Sequence, residues 1–146
     1  METSELLEQR DGYIVTLVIN RPTKLNAMTK SLWRLLGETV RKLGADDTVR
    51  CIVLRGAGGR AFSPGNDIVE FATERANAEQ ARAYGALMHG TLDALASCRH
   101  PLVALIEGIC VGGGLEIAAL CDLRNLRREQ PLRRADQPAW PDHGLC

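Results

Sequence analysis

The segment GICVGGGLEIAALCDLR, Gly108 to Arg124, constrains the fold of this chain more than any other. An apolar run, Leu102–Ile106, leads into it. Three consecutive glycines, Gly112–Gly114, follow, and a helical apolar pattern begins at once, with Glu116 two residues past the last glycine. Glycine tolerates a positive φ and lets another segment or molecule approach the backbone without a Cβ in the way. The first N–H groups of a helix lack partners within it and lie at the positive end of its dipole. The run therefore suits either a tight strand-to-helix turn or a site for a negatively charged oxygen, and spacing alone favours neither.

Two further apolar runs, Tyr13–Ile19 and Cys51–Leu54, end at turn signals and read as strands. Helical periodicity follows each. Leu32, Leu35, Leu36, Val40 and Leu43 form one stripe, with Thr29 as the expected N-cap and Gly44 just past the end. A second helix is expected from about Ala78 to Ser97, with Ala83, Leu87, Leu92 and Leu95 inward. A third starts in the triple glycine and carries Leu115, Ile117, Ala118 and Leu120. Alternating strands and helices imply an α/β layer architecture. Arg60 to Asn77 reads as loop, punctuated by Pro64-Gly65.

The 146 residues suffice for one domain, and 45% hydrophobic residues allow a packed core. Lys+Arg and Asp+Glu number 18 each, so charge gives no case for nucleic acid or an anionic membrane. Five cysteines at irregular spacing argue against a disulfide framework, and without a CxxC pair no metal site is expected. The polar N-terminus shows no signal peptide and no run is long enough to span a bilayer, so a cytoplasmic protein is expected.

A second glycine turn, RAFSPGND from Arg60 to Asp67, also follows a strand. The N–H of Asn66 there and that of Gly113 are candidates to converge on one oxyanion, as two amides do in acyl transfer. Glu116, in the first turn of its helix, is then placed to move a proton near the carbonyl. Other motifs are weaker. Gly56 to Ala61 fits GxGxxA after a strand, but Pro64-Gly65 stands where a dinucleotide fingerprint needs continuous helix. Ser63 lacks the GxSxG setting of a nucleophile. His89 and His100 read as ordinary helix or loop residues, and His143 falls in an atypical tail.

The stretches INRPTKLNAMT (Ile19–Thr29), VRCIVLRGAGGRAFSPGNDIVEF (Val49–Phe71) and PLVALIEGICVGGGLEIAALCDLR (Pro101–Arg124) together resemble the enoyl-CoA hydratase/isomerase (crotonase) family. The resemblance implies a crotonase-like spiral of ββα turns, of which this chain carries the N-terminal portion. It implies an acyl-CoA or enoyl-CoA thioester as substrate, with coenzyme A part of that substrate and no metal or redox cofactor. Asn66 and Gly113 would supply the oxyanion N–H groups, and Glu116 falls at the first of the family's two catalytic glutamates. Substrate contacts are implied at Lys24, Leu25, Ser63, Asn66, Asp67, Ile68 and Gly113, with Arg21 and Lys24 toward phosphates. Pro64 stands where family members often have alanine, and it removes one backbone N–H. The family forms homotrimers and hexamers through a C-terminal part that this chain is expected to lack.

Composition changes sharply near Asn125, dividing a core (1–124) from a basic, proline-rich tail (125–146) with Arg127, Arg128, Arg133 and Arg134. A synonymous back-translation of Asn125–Cys146, read one base later, gives ICGESSRFGAPINQLGLTMAF, which resembles the family's continuation and its FGxP element. The tail is therefore expected to be out of frame, which the gene's codons decide. In that hidden frame isoleucine follows the proline where hydratases carry glutamate, leaving Glu116 as the one acid. Asp136 lies at about the family's spacing from Glu116 but without FGxP before it, and is not taken as the second acid. The expected function is hydration or dehydration of an enoyl-CoA through a stabilised enolate. The alternatives are enoyl-CoA isomerisation and an inactive remnant with at most weak thioester binding.

Overall fold

The computed structural model of the protein describes residues 4–127. Residues 128–146 of the tail, with Asp136, His143 and Cys146, lie outside the described residues. Strand β1 (Leu6–Asp11) turns tightly into β2 (Ile14–Ile19) as an antiparallel hairpin. From there every sheet pairing is parallel: β2 with β3 (Cys51–Gly56), β3 with β5 (Leu102–Ile106), and β5 with β7 (Leu123–Leu126). Parallel neighbours need crossovers, and helices supply them. Helix α1 (Lys30–Gly44) links β2 to β3, α3 (Ala78–Ala96) leads to β5, and α4 (Gly113–Leu120) leads to β7.

A smaller parallel sheet forms beside the first, from β4 (Ala61–Ser63) and β6 (Ile109–Cys110). An isolated parallel bridge joins Met28 to Asn66, just past β4. The chain thus repeats one course. It lays a strand in the large sheet, makes a short extended contact in the small one, then returns through a helix. Three such turns stack as a spiral, which is the ββα architecture the resemblance implies.

Local signals explain the elements. The Thr29 hydroxyl accepts from Leu32 N at 3.1 Å and caps α1 as expected. The α1 stripe buries Leu32, Trp33, Leu36, Val40 and Leu43 against Val15, Leu17, Ile52, Leu54, Leu102 and Ala104 of the sheet. Helix α3 buries Tyr84, Thr91, Ala94 and Leu95, while Ala83, expected inward, is exposed. Tyr84 takes the core position beside it, while Leu95 is buried and Leu87 and Leu92 pack against the core as expected. In α4, Ile117 and Ala118 are buried whereas Leu115 and Leu120 face outward.

The stretch read as loop from Arg60 to Asn77 contains β4, a 3-10 turn at Ile68–Glu70 and the short helix α2 (Phe71–Glu74). The glycine run after β3 leads into β4 and not into a helix, which removes the dinucleotide-binding reading. Among the described residues no helix is long and apolar enough to cross a membrane, and no cluster of His, Cys, Asp or Glu is arranged to hold a metal ion.

Candidate active site

The two glycine turns meet. Gly65 has φ +95°, and a Cβ on it would stand 2.6 Å from the nitrogen of Gly113. A Cβ on Gly114 would collide with the carbonyl oxygen of Ser63. Only bare backbone allows β4 and the start of α4 to lie this close, so both glycines are required by contact. Val111 N donates to Ser63 O at 3.2 Å and locks the second loop onto the first.

Around this junction the backbone donors are used in a definite pattern. Met28 N donates to Gly65 O (2.7 Å) and Asp67 N to Met28 O (2.8 Å), while Gly65 N donates to the Ser63 hydroxyl (3.1 Å). Gly114 N returns to Val111 O and Glu116 N to Gly112 O as α4 begins. Asn66 N and Gly113 N take no acceptor among the described residues. Two uncommitted amides, one from each loop, therefore flank the contact, and the Gly113 amide lies at the positive end of α4.

The remaining candidates divide. Glu116 is exposed in the first turn of α4, three residues past Gly113. Ser63 is fully buried with its hydroxyl committed to Gly65, so its side chain holds the loop and presents nothing to a ligand. Asp67 accepts from Val69 N (3.1 Å), which caps the 3-10 turn, and pairs with Arg21 at 3.0 Å. Burial alone would raise its carboxyl. The Val69 N–H, the Arg21 guanidinium and the Lys24 charge outweigh burial and hold it below the usual carboxylate range. Ile68 and Val69 are exposed and form an apolar lip beside Asn66.

Arg21 does not reach outward. It pairs with Glu5 at 3.0 Å, with Asp67, and donates to Ala27 O at 2.5 Å. The expectation that it faces phosphates is corrected: its side chain is a clamp on the loop. Lys24 is exposed and makes no ion pair among the described residues.

Asn26 was not singled out in the sequence, yet it builds this region. It is fully buried at φ +62°, accepts from Arg21 N (3.0 Å), and donates to Ala57 O (2.9 Å) and Ala61 O (2.7 Å). Leu25 before it is also left-handed, at φ +53°. The tie leaves a cavity of about 240 Å³ lined by Pro22, Thr23, Leu25, Asn26, Ala57, Gly58, Arg60 and Ala61. It opens at the C-terminal ends of β2 and β3, where ligands enter parallel sheets. A larger depression of about 460 Å³ lies at the opposite strand ends, lined by Asp47, Val49, Arg50, Arg99, His100 and Pro101. There Arg99 pairs with Asp47, and the His100 ring meets Asp46 O, so both already have partners within the protein.

Three of the thiols, Cys51, Cys110 and Cys121, are held away from the reactive thiolate by burial. Cys51, Cys98, Cys110 and Cys121 are unpaired, and burial pushes Cys51 and Cys110 up and Cys121 to about 12.

The profile of the enoyl-CoA hydratase/isomerase family matches residues 14–126, and the chain belongs to that family. It is 31% identical over 135 residues to the short-chain-enoyl-CoA hydratase of Clostridium acetobutylicum, covering 90% of this chain and 51% of that protein. It is 31% identical to the mitochondrial Delta(3,5)-Delta(2,4)-dienoyl-CoA isomerase of Mus musculus, covering 77% of this chain and 37% of the isomerase. Among solved structures, an enoyl-CoA hydratase/carnithine racemase from Magnetospirillum magneticum superposes with a TM-score of 0.81 at 46% identity, over 86% of this chain and 47% of the other. The chain spans about half the length of these hydratase relatives.

Proposed function

We propose that the chain binds a coenzyme A thioester with its carbonyl oxygen between the amides of Asn66 and Gly113, and that its lineage chemistry is hydration or dehydration of an enoyl-CoA. What supports this reading is the contact of Gly65 with Gly113, where two loops meet whose Asn66 and Gly113 amides have no acceptor among the described residues. When water adds at the β-carbon of an enoyl thioester, the π electrons move onto the thioester oxygen. The enolate then takes a proton at the α-carbon to give the 3-hydroxyacyl thioester. Two fixed amides aimed at that oxygen are each worth about 3 kcal/mol in the transition state. Glu116 carries the proton as general base and acid.

The cavity at Leu25 and Asn26 suits the flat adenine end of coenzyme A, with Lys24 beside it for phosphate. Ile68 and Val69 offer apolar surface to the pantetheine arm. Coenzyme A arrives with the substrate, and no resident cofactor is invoked. The unpaired thiols favour a reducing compartment, the cytoplasm.

Isomerisation passes through the same enolate and is the nearest alternative reaction. The test is to incubate the purified chain with a short enoyl-CoA and follow loss of the conjugated thioester absorbance. Turnover that disappears in Glu116→Gln supports the reading, and turnover that survives the substitution removes Glu116 from its role.

A second reading has its own support. Glu116 is exposed. On that reading the protein binds the thioester without turning it over. Saturable binding of an enoyl-CoA with no reaction would establish it in place of the first.

A further inference from the structure

Helix α1 reaches both candidate oxyanion residues through one side chain. Trp33 is fully buried. Its indole Nε1 donates to Asn66 Oδ1 at 2.7 Å. The same ring lies against Gly113, where a Cβ would stand 3.0 Å from Trp33 Cζ2.

The chemistry of the pair fixes its orientation. An indole N–H can only donate, so the carboxamide must turn its oxygen toward Trp33 and its nitrogen away. The nitrogen meets the Met88 sulfur at 3.8 Å, a weak acceptor. Trp33 is itself held in place, since the Thr91 hydroxyl donates to its carbonyl oxygen at 2.7 Å from α3. The Asn66 side chain is thereby tied to a rigid core ring, and its backbone N–H is the donor proposed for the thioester.

We propose that Trp33 is a positioning residue for the two amides: its N–H sets the direction of the Asn66 loop and its ring edge sets the distance to Gly113. The proposal rests on the thioester reading above. It predicts that deleting the indole N–H, while an aromatic ring remains, loosens oxyanion geometry without unmaking the fold. A hydrogen bond of this kind is worth roughly three- to tenfold in an equilibrium that depends on it.

The test compares wild type with Trp33→Phe and Asn66→Ala in the full chain. Backbone amide resonances of Asn66 and Gly113 are followed by NMR. A push–pull cinnamoyl-CoA thioester, whose absorbance moves to the red when its carbonyl is polarised, is titrated in parallel, as is coenzyme A alone. The expected result is that Trp33→Phe displaces both amide resonances and shrinks the red shift. It should weaken the thioester about three- to tenfold and leave coenzyme A affinity within about twofold. Asn66→Ala should reproduce the loss, and the double variant should add little to it. Unmoved amides, or a full red shift in a folded Trp33→Phe, would overturn the proposal. If Trp33→Phe does not fold, Asn66→Ala alone must show both effects, and an unchanged red shift there overturns it equally. A wild-type chain that gives no red shift overturns the thioester reading itself and this proposal with it, and that outcome is distinguished by appearing before any substitution is made.

Discussion

Gly65 and Gly113 touch so closely that the nitrogen of the second occupies space a side chain on the first would need, with 2.6 Å between that nitrogen and the position of a Cβ. The positive φ of Gly65 adds a backbone penalty for any other residue. Gly65→Ala is expected to lose about 1–3 kcal/mol of stability in urea denaturation and to abolish polarisation of a bound thioester. A variant as stable as wild type would show that the two loops do not pack in this way.

Arg21 and Lys24 are three residues apart and have opposite uses. Arg21→Ala leaves Asp67 and Ala27 O without their partner and is expected to cost about 1.5–3 kcal/mol. Lys24→Ala removes an exposed charge and should change stability by no more than about 0.5 kcal/mol. Coenzyme A affinity should respond in the other order, falling about three- to tenfold for Lys24→Ala. Calorimetric titration and chemical denaturation of both variants give the four values required.

Asp67 makes the fold sensitive to acid. Its folded carboxyl titrates below the unfolded value of about 3.9, so the unfolded chain takes up protons first as pH falls. The stabilisation is complete above the unfolded value and disappears as pH drops through the lowered folded one. Asp67→Asn should therefore be less stable than wild type near pH 6 and converge on it at strongly acidic pH. Denaturation curves at a series of pH values measure this, and a gap that widens on acidification would contradict it.

Helix α4 and the edge strand β7 leave apolar side chains open to solvent. Leu115, Leu123 and Leu126 are 56%, 64% and 70% exposed, and β7 pairs on one side alone among the described residues. Patches and unpaired edges of this kind promote association. The chain is expected to self-associate as its concentration rises in size-exclusion chromatography. Replacing Leu123 and Leu126 with glutamate should shift it toward the monomer while its circular dichroism stays the same.

The sequence showed long elements well and short ones poorly. The Thr29 cap, the α1 stripe apart from Leu35, which is exposed, and the β5 strand were visible because the helix and strand repeat their signal over several residues. Strand β4 has three residues and β6 two, too few for a period to emerge. Strand β1, LLEQRD, is polar because it is an edge strand with exposed faces, and β7 falls where the composition shifts. At the site, the glycine turns could be named because contact demands glycine there. Asn26 and Trp33 could not. The left-handed backbone of one and the indole hydrogen bond of the other depend on segments about 30 residues distant in the chain.

Each turn of the spiral contributes one short segment at or beside the smaller sheet: Met28, bridged to Asn66, from the first, β4 from the second, and β6 with the glycine run from the third. The gap between the two amides is therefore a pitch, set as the lead of a screw is set by its thread. No single loop owns that dimension. On the proposed reading, a change of packing between any two successive coils would retune that gap, so substitutions in α1 or α3 would alter thioester polarisation without touching either amide.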